Sequence, residues 1–322
     1  MNSLHRLLTI FFGLTLLAGC GGGSGGDASQ PPPVNAVITS ANAPAVAGEA
    51  ADSVLATAEV DDLLGLGGGF TVSSKSSPLG TDFLKSTIER GVLQAAIGPE
   101  TVQCTAGGSI TISGELADPM TLSAGDFIST QFDNCDEGQG VVIDGSFEFS
   151  VDAFSGDFAS GLFSLTVTLT VSNFAVTDDG DLESVDGAVT LTLDTTAAPQ
   201  NSATLSGNTL TVSDGSGTGT LSNFSTTVSR NDGVVPAALT FESSATMSSS
   251  EFEGAVSYTT PVPFQASEGD YPFVGELLVT GAEGAAVRLI ALDNVNCRLE
   301  VDLDGDGAFD EALDTTWDEI TS

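Results

Sequence analysis

The chain has 322 residues, of which 44 are acidic and only seven basic, for a formal charge of −37 near neutrality. Nucleic-acid binding draws on Lys and Arg that displace phosphate counterions, and anionic lipid surfaces attract basic segments, so neither is expected as a docking partner. The length allows one large β domain or two smaller units.

The chain opens with a short polar stretch, Met1 to Arg6, followed by an apolar run from Leu7 to Leu17 broken only by Thr9, Gly13 and Thr15. That run is shorter than the roughly 20 apolar residues a bilayer span needs. A charged start, a short apolar core and small residues at its end predict a secretion signal over residues 1–19.

The signal ends in Leu17-Ala18-Gly19-Cys20. This resembles the lipobox of bacterial lipoproteins, in which an apolar residue and two small residues precede a Cys. The resemblance implies a diacylglyceryl group on the Cys20 thiol, cleavage after Gly19 and acylation of the new amino terminus. Several acyl chains hold a soluble body on a membrane where one does not. Gly21 follows, not Asp, which in that family favours the outer membrane; whether the body faces the periplasm or the outside stays open. The only histidine, His5, and one base, Arg6, leave with the signal. The remaining chain then has no imidazole for a Ser-His-Asp or Cys-His site, for zinc or for a pH switch.

Residues 20–48 predict a flexible tether: Gly-Gly-Gly-Ser-Gly-Gly, then Pro31-Pro32-Pro33, then small and polar residues that bury no core. Gly22-Gly23-Ser24-Gly25-Gly26 formally fits a hydrolase elbow. No strand precedes it and no His activates it, so it is set aside. Residues 49–98 predict two helices. The first, Glu49 to Leu64, places Ala56, Val60, Leu63 and Leu64 on one face and stops at the glycines from Gly65. The second, capped by Thr81 or Asp82, runs to about Ile97 and ends at Gly98-Pro99.

Residues 99–322 predict the β domain. From Gly107 the period becomes two: Phe147, Phe149 and Val151 alternate with polar residues, as do Leu165, Val167, Leu169 and Val171 with Thr166, Thr168, Thr170 and Ser172. This is the pattern of strands with one buried and one wet face. A weak repeat runs through it: Gly108-Ser109, Gly145-Ser146, Gly187-Ala188 and Gly254-Ala255 each open an alternating strand, and Ser172-Asn173-Phe174 echoes Ser222-Asn223-Phe224. The expected fold is mainly β, a long-stranded antiparallel meander forming a sandwich or a partial barrel, with two short N-terminal helices.

Export places the cysteines where disulfides persist. Cys104 and Cys135 flank predicted strands of one local meander and are the expected pair, with Cys297 a lone buried thiol; the other pairings stay open at this stage. Near the C-terminus, Asp302, Asp304 and Asp306 occupy positions 1, 3 and 5 of a loop with Gly307 at position 6, the start of a calcium-loop pattern. Ca²⁺ takes several hard oxygens at about 2.3–2.6 Å, and alternate residues on a tight turn bring them to one point. Asp310 would supply a further ligand. Position 12 is Leu313 in place of the usual Glu, so Glu311 or Asp314 would have to complete the set. Trp317 is expected to close the core.

These features predict a lipid-anchored, non-enzymatic module of the cell envelope, with the membrane and an unidentified envelope component as partners and Ca²⁺ as a candidate ion. Two alternatives are a carrier of lipid or another apolar ligand and a His-free acidic hydrolase, which would need a cleft holding two carboxylates beside exposed aromatics.

Overall fold

The computed structural model describes residues 35–58, 96–117, 122–136, 138, 140–157, 160–178, 180–213 and 217–321. The lipobox, most of the tether and residues 59–95, with most of the second predicted helix, lie outside them. Fourteen strands form one antiparallel sheet in strict chain order: β1 (Ala96–Gln103), β2 (Gly107–Glu115), β3 (Phe127–Asp136), β4 (Val141–Asp157), β5 (Leu162–Asp178), β6 (Asp181–Asp194), β7 (Gln200–Ser213), β8 (Thr218–Asn231), β9 (Ala238–Ser249), β10 (Phe252–Ser267), β11 (Val274–Thr280), β12 (Ala286–Ala291), β13 (Asn296–Asp302) and β14 (Glu311–Thr316). The meander is as expected. It is one continuous ladder, and β1 and β14 each pair on one side only, so it does not close. Two described α-helices accompany it, α1 (Ala43–Ala58) and the single turn α2 (Trp317–Ile320). No described helix is long and apolar enough to cross a membrane.

Period two decides which face is buried. In β5, Phe163, Leu165, Val167, Leu169 and Val171 are buried, while Ser164, Thr166 and Thr168 between them keep partial contact with water. The wet-face hydroxyls bond across strands, Thr168 to Thr190 at 3.1 Å and Thr204 to Thr227 at 3.1 Å. Cross-strand Thr pairs of this kind suit a pleated surface and steady the register.

The sequence repeat marks a line of β-bulges. At Gly145 (φ 95°) the register between β4 and β5 shifts, and a Cβ there would stand 2.2 Å from the Asn173 carbonyl oxygen. Asn173 is itself left-handed (φ 48°), and its N–H is caught by Asp186 on β6 at 2.9 Å. The same device joins Gly108, Asn134 and Asp144 across β2, β3 and β4. Further shifts at Gly187 on β6 and beside Asn223 on β8 carry the line on to β9. Each bulge bends and twists its strand, so a row of them creases the sheet.

α1 begins at Ala43, six residues before the sequence reading placed it, and within the stretch expected to be tether Asn35 already pairs with Ala255 of the sheet. Ala36 donates to the Ala255 carbonyl at 2.8 Å and accepts from Ala282 N–H at 2.7 Å, and Ala36 and Ile38 are buried. Val46, Ala50, Val54 and Thr57, at helical spacing, are buried beneath the sheet. The helix touches β8, β9, β11, β12 and β13. Six flat strands would span about 24 Å against a helix about 10 Å across, so the sheet must wrap around it. Hydroxyls lock the fit: Ser53 bonds Tyr258 at 2.9 Å, Thr57 bonds Thr226 at 2.9 Å, and Thr226 bonds Ser243 at 2.7 Å, all buried. Ala96 and Ile97, expected to end the second helix, instead open β1, and Gly98-Pro99 lies within that strand. Proline lacks a ladder donor but is tolerated at a sheet edge, and β1 is an edge whose register slips between Ile97 and Glu100.

Candidate metal centre

The acidic loop joins β13 to β14, so strands flank it rather than helices. Asp302, the last residue of β13, is only 3 % exposed. Its carboxylate accepts the N–H groups of Gly305 and Gly307, each at 2.8 Å. Asp310 at the far end accepts the Leu303 N–H at 3.1 Å and donates its own to the Val301 carbonyl at 2.8 Å. These bonds draw the two ends of the loop together. Gly305 (φ 73°) makes the turn and packs on the 3-10 turn Ala282–Gly284; a Cβ there would meet the Glu283 carbonyl at 2.4 Å. On the outer side, the Arg288 guanidinium lies 4.3 Å from the centre of the Phe309 ring, pinning the loop to β12.

Oxygens of Asp302, Asp304 and Asp310 all lie within 4.8 Å of one another. Asp306, the fourth expected ligand, is not in that group; its carboxylate caps the Ala308 N–H at 2.8 Å. Neither substitute for the missing twelfth ligand joins them. Asp314 pairs with Arg298 at 2.7 Å on the strand, and Glu311 accepts from the Ser40 hydroxyl at 2.8 Å. The other two described arginines are held elsewhere, Arg230 by Asp232 and Glu268, and Arg288 by Glu300 and Glu276. Three carboxylates at one point, with a tight turn offering carbonyls, make a donor set of hard oxygens fit for Ca²⁺.

Sequence reasoning missed a second acidic site. Glu49 and Asp52 sit one turn apart on α1, the helix the sheet encloses. Burial, with Glu251 beside it, raises the Glu49 carboxyl to about 7, and burial, with Glu49 beside it, raises Asp52 to about 7. The signal was present: they are the only two charges in a 16-residue helix of small and apolar residues.

The cysteines follow expectation. Cys104 and Cys135 form a disulfide with Cα atoms 5.5 Å apart, stapling the β1–β2 turn to β3. Cys297 is free and buried, and burial, with Glu319 nearby, pushes its thiol up to about 12, which makes it a poor nucleophile. Trp317 closes the core. It stacks on Tyr271 at 5.8 Å, and its indole N–H reaches the carbonyls of Pro272 and Asp293 at 3.1 and 3.2 Å.

No family model, curated protein or solved structure matches the chain.

Proposed function

We propose that this chain is a lipid-anchored, non-enzymatic module of the bacterial cell envelope, carried by Cys20 on the outer membrane and serving as a structural or interaction body. The signal ending Leu17-Ala18-Gly19-Cys20 supports the anchor. The observation that carries the module reading is the filling of the curved sheet by α1. Val46, Ala47, Ala50 and Val54 are fully buried where a carrier would hold its apolar cargo. The lack of any histidine after residue 5 disfavours a hydrolase that depends on an imidazole. Replacing Cys20 with Ser is the direct test. The precursor should then escape processing after Gly19 and the body should leave the membrane fraction; unchanged maturation and sedimentation would refute the anchor.

The acidic loop is read as a structural Ca²⁺ site in which Asp302, Asp304 and Asp310 supply carboxylates. An ion bound only by the folded state stabilises it by about 2.7 kcal/mol at a hundred times its dissociation constant. Millimolar Ca²⁺ should raise the melting temperature, and Asp304→Ala with Asp310→Ala should abolish the rise. The variants spare Asp302, whose carboxylate also holds the turn. A wild-type protein indifferent to Ca²⁺ would end this reading.

A further inference from the structure

Because the meander is strictly sequential, alternate turns fall on opposite rims of the sheet. The turns 232–237, 268–273 and 292–295 share one rim; the acidic loop 303–310, the 3-10 turn and the entry of the chain at Asn35 share the other. Twelve large apolar side chains stand exposed among the described residues, and half of them belong to these three turns or the first residue after one: Val234, Val235, Phe273, Val274, Leu292 and Val295. Val235 is 98 % exposed.

The turns are joined. Glu268 donates its N–H to the Ala237 carbonyl at 3.0 Å, and the Trp317 indole bonds the turns holding Pro272 and Asp293 at once. The apolar tips therefore stand on a braced platform, with the Tyr271–Trp317 stack beneath. A rigid cluster of exposed aliphatic and aromatic side chains at one end of a soluble body marks an interaction surface.

Charge on the rim selects the occupant. Asp232, Glu268, Asp270 and Asp293 lie in these turns, Asp318 accepts from the Tyr271 hydroxyl of the second, and among the described residues Arg230, just before the first turn, is already bonded to Asp232 and Glu268. A second copy would bring the same carboxylates against these, and an anionic lipid surface would be repelled. We propose that this rim is the docking surface for a polypeptide partner whose own surface offers apolar side chains ringed by Lys and Arg. This deepens the interaction-module reading and rests on it. The described chain begins, at Asn35, on the opposite rim.

The test uses the full-length protein in its own cells, with a photo-crosslinking residue placed at Phe273 and, as a control, at Leu182, which is 52 % exposed on the opposite rim. The expected result is a polypeptide adduct from Phe273 but not from Leu182. The attached peptide should carry Lys or Arg beside apolar residues, and the yield should fall at least about tenfold with Val235→Asp and Val295→Asp. Both positions are exposed, so the variants should fold, which circular dichroism will verify. Equal yields from the two probes, adducts only with lipid or with a second copy, a partner peptide without basic residues, or a yield that survives the Asp substitutions would each overturn the proposal. Fractionation of the same cells keeps the two readings apart: loss of the adduct from protein still in the membrane fraction overturns the rim alone.

Discussion

Glu49 and Asp52 are the residues whose surroundings most oppose their ordinary charge. Both bind protons more tightly in the folded chain, at about 7, than at their usual values of 4.5 and 3.8. The folded state therefore carries more protons than the unfolded state between about pH 4 and pH 7, and stability falls as pH rises through that window and levels off above it. Asp52→Asn removes the charge that burial opposes. It should raise stability by about 2 kcal/mol more at pH 8 than at pH 5, because between those values the folded Asp52 gives up a proton that the unfolded chain has already lost, allowing for the partial access of water to this site. Denaturant titrations at the two pH values check this; an equal effect at both would show that Asp52 is not protonated in the fold. Among the four expected ligands Asp306 stands apart: its carboxylate accepts the Ala308 N–H, while oxygens of Asp302, Asp304 and Asp310 gather within 4.8 Å of one another.

At the scale of elements, the strands were legible because each has one buried and one wet face, which writes period two into the chain. The bulges were legible only as a faint repeat of Gly and Asn, since the register shift they cause depends on the neighbouring strand. The start of α1 was hidden because Ala43 to Gly48 is made of small residues that read as tether. Yet small residues are what an enclosed helix needs: a Cβ at Gly48 would lie 2.3 Å from the Ile320 carbonyl of α2. β1 was hidden behind Gly98-Pro99, which ends helices but is tolerated at an edge. If α1 is the packed filling of the sheet, deleting buried side-chain volume should cost what a core position costs. Leu55→Ala should lower stability by about 2–5 kcal/mol, while Ala45→Ser on the exposed side should change it by less than about 0.5 kcal/mol. Midpoints of chemical unfolding compare the two. A Leu55→Ala cost as small as that of Ala45→Ser would mean that the helix is a loose cover.

At the scale of the whole molecule, each strand bonds only to its neighbours in the chain, so the sheet resembles a stack of repeats in which stability is a sum of local and nearest-neighbour contributions. The two ends are held by different means. The β8–β13 end wraps α1 and is closed by Trp317, whereas the Cys104–Cys135 disulfide clamps the β1–β3 end, its cysteines 31 positions apart in the chain. A cross-link of that kind contributes about 2–4 kcal/mol, chiefly by restricting the unfolded chain. In a fully cooperative globule its loss would be shared by every amide. Here the loss should stay local, because the main contacts of β1 to β4 are with one another and with β5, not with α1 or the strands it lies against. Replacing both cysteines with Ala should therefore speed amide exchange in β1 to β4 on the order of a hundredfold while leaving β9 to β13 close to wild type. Hydrogen exchange read by mass spectrometry resolves the two regions. A uniform loss of protection from β1 to β14 would show instead that the creased sheet opens as one unit, and that the wrapping of α1 is felt across its whole width.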